Sequence, residues 1–266
     1  MFMKKFIIFI SIFMVSNSVI AQTYTFGVVP QQTALNIYKN WQPLITHIRD
    51  ATGLDIKLET AITLPAFEQK LYQGRYDFAY MSPYHYIQVN KSLGYLPFVR
   101  DAAEVKGVLV ATHAADNNIK HAEIFLFPSP NAFGATLLVK HELKKKYGAD
   151  FFKSKNIIYV NTHDSVYQGI ARKFGDVGAG VFRTYDNFAS ENDKSQLKIL
   201  HVTKGYTNHP VAYKSSVSKE DQQKVLRAIL GAPPEILEGL SMNKFIQTND
   251  ADYDVIRNLV KDFTVN

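Results

Sequence analysis

Short apolar runs and longer stretches with an apolar residue every three or four positions alternate along almost the whole chain. The run at 24–29 stops at Pro30 and reads as a buried strand. Ile37, Trp41, Leu44, Ile45 and Ile48 then recur at helical spacing until Gly53, a residue suited to the left-handed turn that closes a helix. The rhythm continues with a strand over 54–60, a short helix over 67–71 ended by Gly74, and a strand over 76–81. Pro83 begins a helix at a favoured first-turn position, and 96–100 is extended again. A β-α-β order of this kind predicts a mainly parallel sheet covered by helices on both faces.

The rhythm breaks once. A strand over 105–112 has no helix after it, and a polar stretch over 113–120 follows. A second series then starts, with strands over 123–127, 157–160 and 177–182 and helices over 132–147 and 165–174. A short helix near 185–189 leads to a strand at Leu197–Val202. After Lys204 and Gly205 come a strand at Pro210–Tyr213, a helix at Lys219–Leu230 and a final amphipathic helix near 253–263. The middle third therefore reads as an inserted α/β lobe: residues 22–111 and 205–266 form one lobe and 112–204 the other. Two crossings between them make a two-stranded hinge. Ligands in such sheets sit at the carboxyl ends of the strands, where helix N-termini offer unpaired N–H groups.

The N-terminus changes the expected compartment. Lys4 and Lys5 precede an almost wholly apolar run over 6–15, and the segment turns polar at 16–18 before Val19-Ile20-Ala21. That pattern predicts a signal peptide cut after Ala21 and a mature chain in the periplasm. A membrane anchor is the other reading, but Ser16-Asn17-Ser18 interrupts the apolar run well short of the ~20 residues a span needs. The chain has no cysteine, which excludes disulfides and a lipid on an N-terminal cysteine. Stability must come from a packed core, and the mature length suits two lobes. The formal charge of +6 favours anions through the summed field. The basic residues are dispersed, however, and no nucleic-acid motif is present, so no nucleic-acid partner is expected.

Four strand-to-helix junctions are richer in small and polar residues than their positions require. In the first, Gln31 can reach a ligand while Thr33 caps a helix. The second delivers Ser82 and then Tyr84, His85 and Tyr86, three rings with polar tips at a helix start. The third is Ser129-Pro130-Asn131-Ala132-Phe133-Gly134, with Asn131 placed as the cap and small residues that let an oxyanion approach the backbone. The fourth is Thr162-His163-Asp164-Ser165. His163 there can donate to an anion, and Asp164 serves as a cap. Arg183 can pair bidentately with a phosphoryl or carboxylate group, and Asn208-His209 lies near the second crossing. Adjacent residues at one helix start diverge and no G-x-S-x-G elbow is present, so His163, Asp164 and Ser165 make a poor hydrolytic triad and no enzyme is expected. His85, His163 and His209 could converge on a metal, but no H-E-x-x-H motif is present. No metal and no cofactor are assigned.

The segments FGVVPQQ, YDFAYMSPYHY, FPSPNAFGATLL, NTHDSVYQGIA and VGAGVFRTY, in this order, resemble the periplasmic phosphate/phosphite/phosphonate-binding proteins of ABC importers. The likeness runs from Tyr24 to about Leu230. It implies a type II two-lobed binding fold, a monomer whose cleft closes on a small anionic ligand, and an inner-membrane permease as partner. Tyr86 matches the family's pocket tyrosine, and His163 matches the histidine after a strand of the inserted lobe. Where phosphonate binders carry Ser-Thr-Ser before a glycine, this chain has Asn131-Ala132-Phe133 before Gly134. Arg183 and Asn208-His209 stand in the neighbourhoods of the acidic residues that hold an aminophosphonate's amino group. These departures point to an anion with a flatter or more apolar body. A ligand sensor that presents its closed form to a membrane receptor is the alternative function.

Overall fold

Two mixed sheets organise the chain, and the computed structural model describes residues 22–264. The expected signal segment lies outside the described residues. In the first half, β1 (Thr23–Val28), β2 (Asp55–Glu59), β3 (Phe78–Tyr80) and β4 (Leu96–Asp101) are separated by α1 (Ala34–Thr52), α2 (Leu64–Tyr72) and α3 (Pro83–Leu93). The helices begin and end where their capping residues stand. Thr33, Thr63 and Ser82 each accept a backbone N–H at the N-cap, and Gly53 and Gly94 close α1 and α3 at φ 71° and 67°. The chain crosses after β4, and β5 (Gly107–Thr112), β6 (Ile124–Phe127), β7 (Asn156–Tyr159), β8 (Val177–Val181) and β9 (Leu197–Val202) build the second sheet. Between them lie α4 (Val139–Tyr147), α5 (His163–Ala171), α6 (Phe182–Asp186) and α7 (Glu191–Lys194). The chain then returns with β10 (Pro210–Tyr213), α8 (Lys219–Leu230), α9 (Pro234–Gly239), β11 (Phe245–Gln247) and α10 (Asp254–Thr264).

Strand membership corrects the expected crossing point. The boundary at 111/112 leaves Gly107–Thr112 with the first lobe, yet β5 pairs antiparallel with both β8 and β9 at the heart of the second sheet. Val108, Leu109, Val110 and Ala111 are all fully buried, as a strand covered on both faces requires. The first crossing is therefore 102–106. The return runs over 203–209, and the two segments share an antiparallel backbone bridge, Val105 to Tyr206.

The sheets are less parallel than the β-α-β rhythm predicts. The first has the order β11-β4-β10-β3-β1-β2 and the second β7-β6-β8-β5-β9. Each carries an antiparallel strand in its interior, β10 between β3 and β4, and β5 between β8 and β9. Each of these is the first strand the chain makes after a crossing. The expected helix over 132–147 also begins differently: Phe133–Leu138 is π-helical and only then passes into α4.

The core of the first lobe packs α1 and α8 against one face of its sheet, and Trp41 lies 4.6 Å from the Tyr80 ring. The same apolar cluster extends across the hinge to Val105, Phe133, Leu138 and Val181. Two smaller clusters line the faces of the second sheet. These contacts fix the ends of β1, β3, β6, β7 and β8 around one point between the lobes.

Candidate ligand-binding site

Five strand ends and the approach to β10 converge there. Gln31 follows β1, Ser82 follows β3, Ser129 and Phe133 follow β6, His163 follows β7, Val181 ends β8, and His209 precedes β10. Together with Val29, Pro30, Leu64, His85, Pro128, Ala132, Gly134 and Asn161 they enclose a cavity of about 20 Å³. That is the scale of one water-sized group. Gln31, Val181 and His209 also wall off a larger cleft of about 550 Å³ on the hinge side, where Asp101, Lys106 and Arg183 lie.

Two helical starts face the small cavity from the second lobe. Thr162 caps α5 by accepting the Ser165 N–H at 3.1 Å, which gives it the role expected for Asp164. The π-helical turn has Ala132 at its N-cap and no side-chain cap, so the first N–H groups of that turn keep no partner of their own. Asn131, expected as this cap, reaches instead into the first lobe, and its amide donates to Glu68 Oε1 at 3.0 Å. Gly134 is required by close approach: a Cβ there would stand 2.4 Å from Val181 Cγ1.

Further hydrogen bonds tie the lobes. The His163 N–H donates to the Gln31 carbonyl at 3.1 Å. Arg183 donates to the Leu240 carbonyl and to Gln31 Oε1, each at 2.7 Å. Because a guanidinium can only donate, the Gln31 amide oxygen faces it and the nitrogen faces His209 Nε2 at 3.3 Å. His209 therefore accepts at Nε2 and carries its proton on Nδ1, 3.1 Å from Asn208 Oδ1. Asn208 Nδ2 then donates to the Ala103 carbonyl in the first crossing at 3.0 Å. One polar chain thus joins the β8 end, the cavity wall and the hinge.

Burial sets the charges. It pushes His163 down to about 3, with Arg183 adding to the effect. Burial likewise holds His209 well below the usual histidine range, helped by Arg183 and by His163 and His85. Both rings are neutral at pH 7. Glu68 shows the opposite balance. Burial alone would raise its carboxyl, but the hydrogen bond and charge of His85 and the Asn131 amide bring it below the ordinary value. Burial raises Asp164, with partial relief from Asn36.

Of the residues singled out in the sequence, Gln31, Ser82, His85, Ser129, Ala132, Phe133, His163 and His209 line the cavity. Tyr86 does not. It is fully buried, its ring lies 4.7 Å from Tyr253, and its hydroxyl donates to Asp250. Successive residues on a helix point about 100° apart, so α3 can turn His85 to the cleft only by turning Tyr86 into the core. Tyr84 packs half-buried with its ring edge against His85, and Ser165 bonds Thr162 within α5. Asp164 is buried beside them, and Arg183 bridges the lobes rather than lining the small cavity. Glu68 was missed. Its signal is in the sequence: Leu64, Phe67, Glu68 and Leu71 share one helical stripe, and a carboxylate on an apolar stripe marks a buried partner.

Residues 26–253 match the family described as ABC transporter, phosphonate, periplasmic substrate-binding protein. The chain belongs to this family. Among solved structures it is similar to a binding-protein component of an ABC phosphonate transporter from Pseudomonas aeruginosa, with 17% identity, 90% of this chain and 85% of that one covered, and a TM-score of 0.82. It is also similar to PhnD1 of Prochlorococcus marinus in complex with methylphosphonate, with 16% identity, coverage of 90% and 97%, and a TM-score of 0.80. A third likeness is to a Xanthomonas citri protein bound to chloride ion, with 14% identity, coverage of 91% and 97%, and a TM-score of 0.69. Membership makes the chain a solute-binding component of an ABC importer with the two-lobed fold of this group. Among the described residues no helix is long and apolar enough to cross a membrane.

Proposed function

We propose that this chain captures a small phosphonate-type oxyanion in the inter-lobe cavity, without covalent chemistry, and presents the closed lobes to an inner-membrane permease. The observation that carries this reading is the meeting of two helical starts from the second lobe with Ser82, His85 and Gln31 of the first around one cavity. The uncapped N–H groups of the π-helical turn favour anions, and residues from both lobes make ligand affinity depend on closure. The neutral His163 ring and the Phe133 and Val181 walls favour a ligand with one apolar substituent on a compact charged head, and methylphosphonate has that chemistry. Export with cleavage after Ala21 completes the proposal.

The test is calorimetry on the chain from Gln22 to Asn266, refolded to strip carried ligand. Methylphosphonate, phosphite, phosphate, aminoethylphosphonate and methanesulfonate would be titrated, and ester and phosphonate turnover followed in parallel. The expected result is saturable one-to-one binding of methylphosphonate or phosphite with no turnover. No heat with any oxyanion, in a protein that unfolds cooperatively, would overturn the reading.

A further inference from the structure

Ser82, His85 and Glu68 form a buried chain at the cavity wall. Ser82 Oγ lies 2.9 Å from His85 Nδ1, and His85 Nε2 lies 2.9 Å from Glu68 Oε1. Ser82 Oγ also accepts the His85 backbone N–H at 3.2 Å. The His85 ring is almost fully enclosed, and both Ser82 and His85 line the cavity. Asn131 brings a second donor to the same Glu68 oxygen from the opposite lobe.

The proton positions follow from these distances. Glu68 is ionised and can only accept, so His85 Nε2 carries a hydrogen. In a neutral ring Nδ1 is then a lone pair, and the Ser82 hydroxyl hydrogen is drawn to it. Ser82 Oγ would offer the cavity only a lone pair, which repels an oxyanion. One added proton on Nδ1 reverses this: Nδ1–H donates to Ser82 Oγ, and the hydroxyl hydrogen turns to the cavity.

We propose that Ser82, His85 and Glu68 act as a proton-linked anion clamp, in which the bound oxyanion takes a hydrogen bond from Ser82 Oγ–H while His85 is doubly protonated. The proposal rests on the oxyanion-binding reading above. Glu68 supplies the counter-charge, and Asn131 tightens it when the lobes close. The other titratable groups around the ring and its Glu68 partner are Tyr72 on α2, Tyr84 on α3, His163 on α5 and His209 before β10. The two histidines are neutral and the two phenols uncharged at pH 7, so Glu68 is the charge in direct contact with the ring. A buried pair of this kind is stable because each hydrogen of the imidazolium has an acceptor. The same three groups in line also occur in serine hydrolases. In the clamp this line holds a proton and supplies no nucleophile.

The decisive measurement is the ¹⁵N spectrum of histidine-labelled protein with and without methylphosphonate, with His85 assigned by its loss in His85→Gln. Both ring nitrogens of His85 are expected in the protonated range in the complex, at a pH where the free protein shows a neutral ring. Calorimetry in buffers of different ionisation enthalpy at that pH should show about one more proton taken up by the wild type than by Ser82→Ala. Wild-type affinity should also fall more steeply with rising pH than that of Ser82→Ala, by about tenfold per pH unit. Methylphosphonate bound beside a neutral His85 ring would overturn the clamp and leave the oxyanion reading standing. Absence of any oxyanion binding would overturn both.

Discussion

Arg183→Met removes two hydrogen bonds that each join β8's end to the first lobe, one to the Leu240 carbonyl and one to Gln31 Oε1. Methionine keeps a similar stem and volume, so the change isolates the charge and its donors. Among the described residues no carboxylate stands within ion-pair distance of this guanidinium, and the two acceptors are its direct partners. A hydrogen bond from a charged donor contributes ~1.5–3 kcal/mol. Arg183 is half-buried, and solvent screening reduces that to ~1–1.5 kcal/mol for each bond. The loss is compounded because Gln31 is no longer held with its nitrogen toward His209. If both bonds exist only with the lobes closed, the closed state loses about 2–3 kcal/mol, and the apparent Kd for methylphosphonate rises about 30- to 150-fold. Isothermal titration measures the Kd, and small-angle scattering of the saturated protein measures how far the lobes close. Arg183→Lys, with one compact charge, reaches one acceptor and should fall between. The thermal midpoint of the ligand-free protein should move little, because neither bond lies within a lobe. An Arg183→Met Kd within about threefold of wild type would refute the reasoning, since the bonds would then be unlinked to closure.

Three further outcomes follow from the same geometry. Tyr86→Phe removes the hydroxyl that donates to Asp250 and should lower the urea-unfolding free energy by about 1 kcal/mol while leaving the ligand Kd unchanged; a large change in Kd would return Tyr86 to the site. Gly134→Ala forces a methyl against Val181 Cγ1, costs roughly 1–3 kcal/mol of stability, and should abolish binding, since both residues line the cavity; a fully active variant would mean that the wall yields. His163 and His209 have folded pKa values depressed below the ordinary 6.5, so the unfolded chain binds more protons. The stabilising effect of His163 is complete above pH 6.5 and is lost as pH falls from there toward about 3, and His209 acts in the same direction. The slope reaches ~1.4 kcal/mol per pH unit for each ring, and urea midpoints from pH 7 to 5 should flatten in His163→Gln.

Much of the fold was legible because its signals are local. Thr33, Ser82 and Ser218 cap the helices they precede, and Gly53 and Gly94 close theirs in the left-handed conformation. The cavity residues were legible for a related reason: Gln31, Ser82, Ser129 and His163 follow strand ends, and strand ends of such sheets meet at one point. What failed was information that only packing holds. The slot of β5 between β8 and β9 is a choice between two sheets, and an all-apolar strand suits either. Tyr86 and His85 are adjacent and equally polar-tipped, and which one α3 buries is decided by Tyr253 and Asp250 far along the chain. Asn131 has a cap's chemistry, but Glu68 across the cleft takes its amide. Glu68 itself sits on an apolar stripe, where a helical-wheel reading would have found it.

The placement of β10 has a consequence for the order in which the chain acquires structure. Every strand of the second sheet comes from residues 107–202, so that sheet can close as soon as this stretch is available. The first sheet cannot. β3 and β4 are neighbours in sequence but are separated in space by β10, whose four residues begin only at Pro210. A nascent chain ending before that point holds a finished second lobe beside a first sheet split in two, with β3 and β4 both showing open edges. Unpaired edges of buried, apolar strands are templates for pairing with other chains. The last quarter of the sequence therefore guards against aggregation, and truncations within it should yield insoluble protein whatever they do to the cavity.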